Sequence, residues 1–450
     1  MSLTGLAWLT LYLLLSFKVF ERSSYGIGLY LMTFYAPVTK WWWGSGVLTS
    51  IGDRWALFAA LFMLVGVVTD RRPRTHAPAP RAKSVGILLI LYILNALFVH
   101  TLFAKVPVDS WEFWVRICKY SVFGAMMYSS IRDAKDIRIA LYSIVLGGIY
   151  IGYEVYFNEA GRMRHGRLEG IPLGSASDAN YLSSVLSVSL VAAGYFILVE
   201  KGWKRYALMF GAALMLETIQ QSLSRGTMLA LCGATITLLV FARKRERKLA
   251  VIGVLLGCLA AFVVMGKEDR QQMVVRFQSI FVESEERDAS ADSRTLLWGR
   301  CLTLIGDNPL GLGGEAAFKS KYASRYVADL KLDGKAVHNG YLDIASSWGI
   351  QGLALALTML FLSTRQLLSD IRVARRQDDN QKALLGSIWV ACGVILAVAA
   401  IFISSLRGEW FYWWAAIALG YRQYSTSAAV TPGQSSMVVD SASPGEVELV

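Results

Sequence analysis

Apolar runs fall near residues 3–20, 25–43, 55–69, 84–104, 111–131, 137–157, 180–199, 205–223, 226–242, 248–266, 341–364 and 383–405, with a shorter one at 409–421. Most approach the roughly 20 residues that carry a helix across about 30 Å of hydrocarbon. The pattern therefore predicts an all-α integral membrane protein with about twelve transmembrane helices. The thirteenth run is marginal by length. The run at 111–131 opens with Arg116 and Lys119, so its first turns are amphipathic and fit a partly interfacial position. Residues 1–20 have no basic leader and no Ala-x-Ala cleavage site, and read as a retained first span.

One long polar segment, 267–340, interrupts the alternation. Around it the chain divides into N-terminal transmembrane helices (1–158), central transmembrane helices with arginine-bearing links (159–266), the polar segment itself with short helices, C-terminal transmembrane helices (341–424) and a tail (425–450). The tail is rich in Ser, Ala, Val, Pro and Gly without helical period, and is expected to be disordered. No internal repeat is visible.

Charge fixes an orientation for these runs. Basic residues crowd every second connection: Arg71, Arg72, Arg74, Arg81 and Lys83; then Arg132, Lys135 and Arg138; then Lys201, Lys204 and Arg205; then 243–248; then 365–382. The positive-inside rule assigns these to the cytoplasm, together with the tail. Residues 158–179, the short link at Arg225 and the segment 267–340 then face the other side, which in a bacterial inner membrane is the periplasm. Composition agrees with the membrane reading, at 55% hydrophobic and 17% charged. The net charge of +12 comes from short clusters between apolar runs and does not call for nucleic acid. The five cysteines have neither paired nor metal-ligand spacing, so no disulfide framework and no zinc site is expected.

The candidate chemistry lies on the side where insertion selects no positive charge. Arg162, Arg164, Arg167, Arg225, Arg294 and Arg300 are all there. Guanidinium groups bind phosphate oxygens bidentately, so a membrane-anchored phosphate ester would account for them. Arg225 stands in Ser222-Leu223-Ser224-Arg225-Gly226-Thr227 with almost no linker. It either snorkels to the headgroups or sits in a close backbone turn with a function. Arg294 and Trp298 have a spacing that shares one helical face, as an ordinary amphipathic helix would also show. His338, one of four histidines, can take up a proton near neutral pH; the alternative is that it only caps the helix beginning near Gly340, through Asn339.

Other features have plainer readings. Asp178 and Asn180 are good N-caps for the seventh run, whereas Arg167 has no such role. Glu217, inside the eighth run, must face a partner or a cavity. Asn308-Pro309-Leu310-Gly311-Leu312-Gly313-Gly314 lacks the Gly-Lys-Ser/Thr ending of a nucleotide loop and reads as a tight turn that lets backbone approach another segment. The stretch Glu283–Asp292 reads as a solvated surface loop.

Taken in order, Ser224-Arg225-Gly226, Arg294 with Trp298, Asn308 to Gly313, His338-Asn339-Gly340-Tyr341-Leu342 and Trp348-Gly349-Ile350 resemble the O-antigen ligase and O-antigen polymerase superfamily, with Arg167 and Asn180-Tyr181 similar to its upstream element. The resemblance covers roughly residues 160–365. It implies a metal-independent integral-membrane glycosyltransferase with a polyprenyl-pyrophosphate glycan as donor and no nucleotide or other cofactor. By motif, His338, Arg225 and Arg294 would be catalytic, and Arg167, Arg300, Asn339 and Tyr341 would bind substrate or pyrophosphate. The acceptor expected is lipid A-core, as in a ligase; a second lipid-linked repeat would mean a polymerase, and Ser or Thr a protein O-oligosaccharyltransferase. A transporter or flippase with an arginine-lined anion site is the alternative from another class, although transporters more often place ionisable residues at the bilayer midplane.

Overall fold

The computed structural model of the chain describes residues 2–52, 54–164, 166–174, 178–241, 289–315, 317, 320–330 and 335–424. The basic link at 243–248, the run at 248–266, residues 283–288 and the tail fall outside them. The described helices are α1 (Leu3–Glu21), α2 (Tyr25–Tyr35), α3 (Val47–Ser50), α4 (Arg54–Thr69), α5 (Ala82–Phe103), α6 (Pro107–Ser130), α7 (Ala134–Asn158), α8 (Ala179–Val199), α9 (Trp203–Gln221), α10 (Arg225–Phe241), α11 (Ala289–Asp307), α12 (Lys321–Ser324), α13 (Gly340–Arg376), α14 (Asn380–Ala399) and α15 (Trp410–Gly420). A small antiparallel hairpin pairs β1 (Arg162–Arg164) with β2 (Arg167–Glu169), Arg162 opposite Glu169.

Six of these helices, α1, α5, α7, α8, α13 and α14, are long and apolar enough to cross a membrane, and α4 and α10 are shorter apolar helices. The chain is thus an all-helical membrane protein with almost no sheet among its described residues. Among the described residues, two of the predicted runs do not form spanning helices. The run 25–43 is helical only to Tyr35, because Pro37 disfavours helical backbone at the residue before it and cannot donate to the ladder. The run 409–421 forms α15, which is about 16 Å long and buried along its whole length, so it belongs to the protein interior. In α6 Arg116 and Lys119 are exposed, as an amphipathic first half requires, and Arg116 lies 3.7 Å from Glu315.

Hydrogen bonds tie the links into two ends of one bundle. At one end Arg22 and Arg72 bond Asp133 and Asp136, Arg138 pairs with Glu200, Arg81 Nη1 donates to Gln366, and His76 exchanges bonds with Gln423. These are the connections that charge patterning puts on a common side. The links at 158–178, 221–225 and 308–340 meet at the other end, where the candidate residues lie.

The helix that delivers His338 is broken. α13 leaves helical backbone at Gly349, where φ is 78°. The turn Asn308–Gly314 fills the break: Leu312 and Gly313 donate their N–H groups to the carbonyls of Ser346 and Ser347 at 2.9 and 3.0 Å, and Ile350 N–H donates to Pro309. Backbone groups freed within an apolar bundle are costly unless they are satisfied in this way. A Cβ on Gly311 would lie 2.6 Å from the Gly349 nitrogen, and Gly311 has a φ of 95°, so a side chain is excluded by contact and by conformation. The tight turn expected from the sequence does bring backbone against another segment.

Candidate functional site

The site grows from three helix starts. Asp178 caps α8 by accepting from Asn180 N–H at 2.5 Å. Ser224 caps α10, its Oγ accepting from Thr227 N–H at 3.3 Å, while Thr227 Oγ1 shares a 2.7 Å hydrogen bond with Ser183 of α8. Asn339 caps α13, its Oδ1 accepting from Tyr341 and Leu342 N–H at 3.0 and 3.1 Å. Each start carries the positive end of a helix dipole, which favours anions nearby.

Arg167, at the tip of the hairpin, holds two of these starts together. Its Nε donates to the Ser222 carbonyl at 3.0 Å and its Nη2 to Asn180 Oδ1 at 2.7 Å. The α9–α10 turn it grips is tight, with Leu223 at a φ of 45°, and Arg225 opens α10 immediately after. Of the two readings of Arg225, the backbone here has the close turn.

α11 supplies Arg294. Leu297, Cys301 and Leu304 form its buried stripe, which packs with Ala345 of α13. Arg294 and Trp298, four residues apart, share the side towards the His338 segment. The Trp298 Nε1–H donates to the Val337 carbonyl at 3.0 Å, so it fixes the residue before His338. His338 has a φ of 51°, a left-handed conformation uncommon outside glycine. Since Asn339 performs the capping, the helix start does not need the His338 side chain.

Electrostatics links these residues. The Arg294 guanidinium is held below its usual value by burial, against the pull of Asp178 and with a smaller push from Arg225. The His338 imidazole is also lowered, first by burial and then by Arg294, with Asp178 and Asp343 opposing. His338, Arg294, Arg225 and Asp178 therefore sense one another at one end of the bundle, and Arg167 joins them through Asn180 and Ser222.

The remaining candidates lie elsewhere or are occupied. Arg300 is about 240° round the helix from Arg294 and forms an exposed 2.5 Å pair with Asp329, so it is not brought to the group. Tyr341 donates its hydroxyl to the Ala397 carbonyl at 2.8 Å, which moors α13 to α14. The Asn339 oxygen is spent on the cap. Arg162 and Arg164 sit on the exposed strand β1. Glu217 accepts from Gln221 one turn away.

Reading the sequence missed the support beneath His338. Arg407 bonds Asp343, one turn into α13, at 2.9 Å and Glu315, just past the glycine turn, at 2.7 Å. Its guanidinium lies 4.5 Å from the centre of the Phe113 ring. Gly340 N–H donates to Ala400, so the same link holds the start of α13. Arg407 stands between two apolar runs, as Arg225 does, and the argument that singled out Arg225 applies to it equally.

Comparison with curated proteins finds no match. A family model described as "O-Antigen ligase" matches residues 210–357, from within α9 to beyond the break in α13. The matched stretch contains Arg225, Arg294 and His338 and leaves out Arg167 and Arg407. Residues 210–357 are thus similar to the O-antigen ligase family, in agreement with the resemblance to the O-antigen ligase and polymerase superfamily read from the motifs.

Proposed function

We propose that the chain is an inverting glycosyltransferase that moves an O-antigen glycan from polyprenyl pyrophosphate to the lipid A-core oligosaccharide at the periplasmic face of a bacterial inner membrane. The family domain supports an activity of the O-antigen ligase or polymerase type. The observation that carries the finer reading is the meeting of Arg225, Arg294 and His338, from two helix starts and one polar helix, in a single electrostatic neighbourhood.

In this reading the pyrophosphate of the donor lies against Arg225 and Arg294, with Arg167 behind the α10 start. An acceptor hydroxyl oxygen attacks the anomeric carbon from the face opposite the pyrophosphate. The new C–O bond forms as the bond to pyrophosphate oxygen breaks, and the polyprenyl pyrophosphate leaves with the electron pair. The arginines stabilise the charge that grows on it. His338, neutral at ordinary pH because its affinity for a proton is lowered, takes the hydroxyl proton or orients that hydroxyl. The reaction uses no nucleotide and no metal.

The test is reconstitution of the full chain in liposomes with polyprenyl-pyrophosphate glycan and lipid A-core, with chelator and without ATP. Glycan-bearing lipid A from the wild type, lost in His338→Ala and Arg225→Ala, is the expected result. Product only with a second lipid-linked repeat would make the protein a polymerase, and movement of intact donor without covalent product would make it a transporter.

A further inference from the structure

Trp41, Trp42 and Trp43 take no part in the site above, yet they lie at the same end of the bundle. The link after α2 folds over the end of α7: Trp42 Nε1 donates to Glu154 at 2.9 Å and Trp43 Nε1 to the Tyr150 hydroxyl at 2.8 Å. Between this link and the open end of the β1–β2 hairpin is a cleft of about 490 Å³, lined by Lys40, Trp41, Trp42, Asn158, Glu159 and Pro172 with neighbouring glycines. That volume is within the roughly 300–1,000 Å³ of small-molecule sites.

Tryptophans at a membrane face are ordinarily interfacial anchors. Three features here ask for more. Trp42 is 62% exposed although its indole N–H is held by Glu154, so a fixed aromatic face is presented. Glu159, at a φ of 50° where α7 ends, and Asn158, whose amide donates to Glu154 at 3.1 Å, line the opening side by side. Trp41 is buried to 4% exposure and meets the Tyr150 ring edge-on at 5.3 Å, so it forms a fixed wall of the cleft.

A flat ring, a carboxylate, an amide and an ammonium group around one opening suit a ligand with an apolar face and a hydroxyl-rich edge. We infer that this cleft is a subsite for a pyranose unit of a glycan chain. Its position supports that. Gly161 and Gly170 form its hairpin side, and Arg167 is three residues from Gly170, roughly 10 Å along an extended strand. An oligosaccharide spans that distance from a pyrophosphate at the arginines. The choice of a glycan, and of donor or acceptor as its source, rests on the glycosyltransferase reading; the cleft and its fixed aromatic face do not.

Saturation-transfer NMR on the full chain in nanodiscs tests the inference with two probes, O-antigen oligosaccharide released from its lipid and core oligosaccharide released from lipid A. At least one probe binds, and Trp42→Ala and Asn158→Ala each weaken that binding roughly tenfold. Trp203→Ala, which removes a 75% exposed tryptophan at the other end, leaves it unchanged. The probe affected names the source of the sugar. Asn158 is exposed, so its truncation gives a reading even if Trp42→Ala does not fold. Absence of binding by the wild type to either probe, or unaltered affinity in both cleft variants, overturns the subsite. Failure of the glycosyltransferase reading looks different: sugar binding persists in a protein that makes no covalent product.

Discussion

The two ends of the bundle both gather arginines, and they treat them in opposite ways. At one end Arg22, Arg72 and Arg132 meet Asp70, Asp133 and Asp136, with Arg22 2.8 Å from both Asp133 and Asp136 and Arg72 2.6 Å from Asp70. Burial works against the Arg22 and Arg72 charges, but hydrogen bonds to these carboxylates outweigh it and hold both guanidiniums above their usual value. At the other end burial of Arg294 outweighs the opposing pull of the Asp178 carboxylate, with Arg225 adding a smaller push, and Arg294 ends below its usual value. The first group is a lock that joins α1, α4 and α7. The second places the buried Arg294 guanidinium near both Asp178 and Arg225, an arrangement that an anionic ligand would complement. Perturbed groups of this kind collect at functional sites.

The largest effect should separate catalysis from folding. His338→Ala is expected to lower turnover about 10²- to 10⁴-fold with an unchanged unfolding midpoint, measured by product formation in liposomes and by thermal unfolding. Arg225→Lys should recover only part of what Arg225→Ala loses, because an ammonium group cannot form the bidentate contact. A His338→Ala protein that unfolds early would merge the two ends into one structural class.

The lock should show the reverse. Asp136 has no exposed side chain and accepts from Arg22, Ser24 and the Arg132 backbone. Asp136→Ala removes one carboxylate from half-buried guanidiniums that keep Asp133 and Asp70, and should cost about 1.5–3 kcal/mol of stability. The folded fraction should retain the turnover and KM of the wild type. A selective fall in turnover would place Asp136 in the chemistry.

A smaller effect lies in the pH profile. His338 works as the neutral imidazole, and burial together with Arg294 lowers its affinity for a proton. Activity should therefore persist as pH falls through 6.5, the ordinary imidazole value, and decline only below it. Arg294→Gln removes the cation that disfavours the imidazolium, so the acid limb should move to higher pH. A limb that stays in place would mean that Arg294 does not act on His338.

The smallest effect concerns Arg300. Its pair with Asp329 is exposed on both sides, and such pairs contribute about 0–1 kcal/mol. Arg300→Ala should leave both turnover and unfolding nearly unchanged. A large loss of turnover would bring Arg300 back among the residues that bind pyrophosphate.

Much of the architecture was legible because hydrophobic length and basic links act locally. The helix starts at Asp178, near Arg225 and near Gly340 follow from capping residues next to apolar runs. Lengths were less legible. Pro37 truncates α2 from within an apolar run, and a short buried helix such as α15 has the same composition as a span. Arg294 and Arg300 look equivalent in sequence, and only the register of α11 turns one towards His338 and the other towards Asp329. Asp343 and Glu315 are unremarkable in one dimension; Arg407 gives them meaning from far along the chain.

By itself the sequence determined that this is a helical membrane protein, which links share a side, and which residue types are available for anion binding and proton transfer. Apolar length, basic clustering and side-chain chemistry are properties of short segments, so they survive without knowledge of the fold. The tertiary structure decided that Arg167 clamps the α9–α10 turn, that the glycine turn fills the break at Gly349, and which arginines meet His338. Those outcomes depend on contacts between segments that are distant in the chain, where packing and the satisfaction of buried polar groups choose among arrangements that local pattern leaves equal.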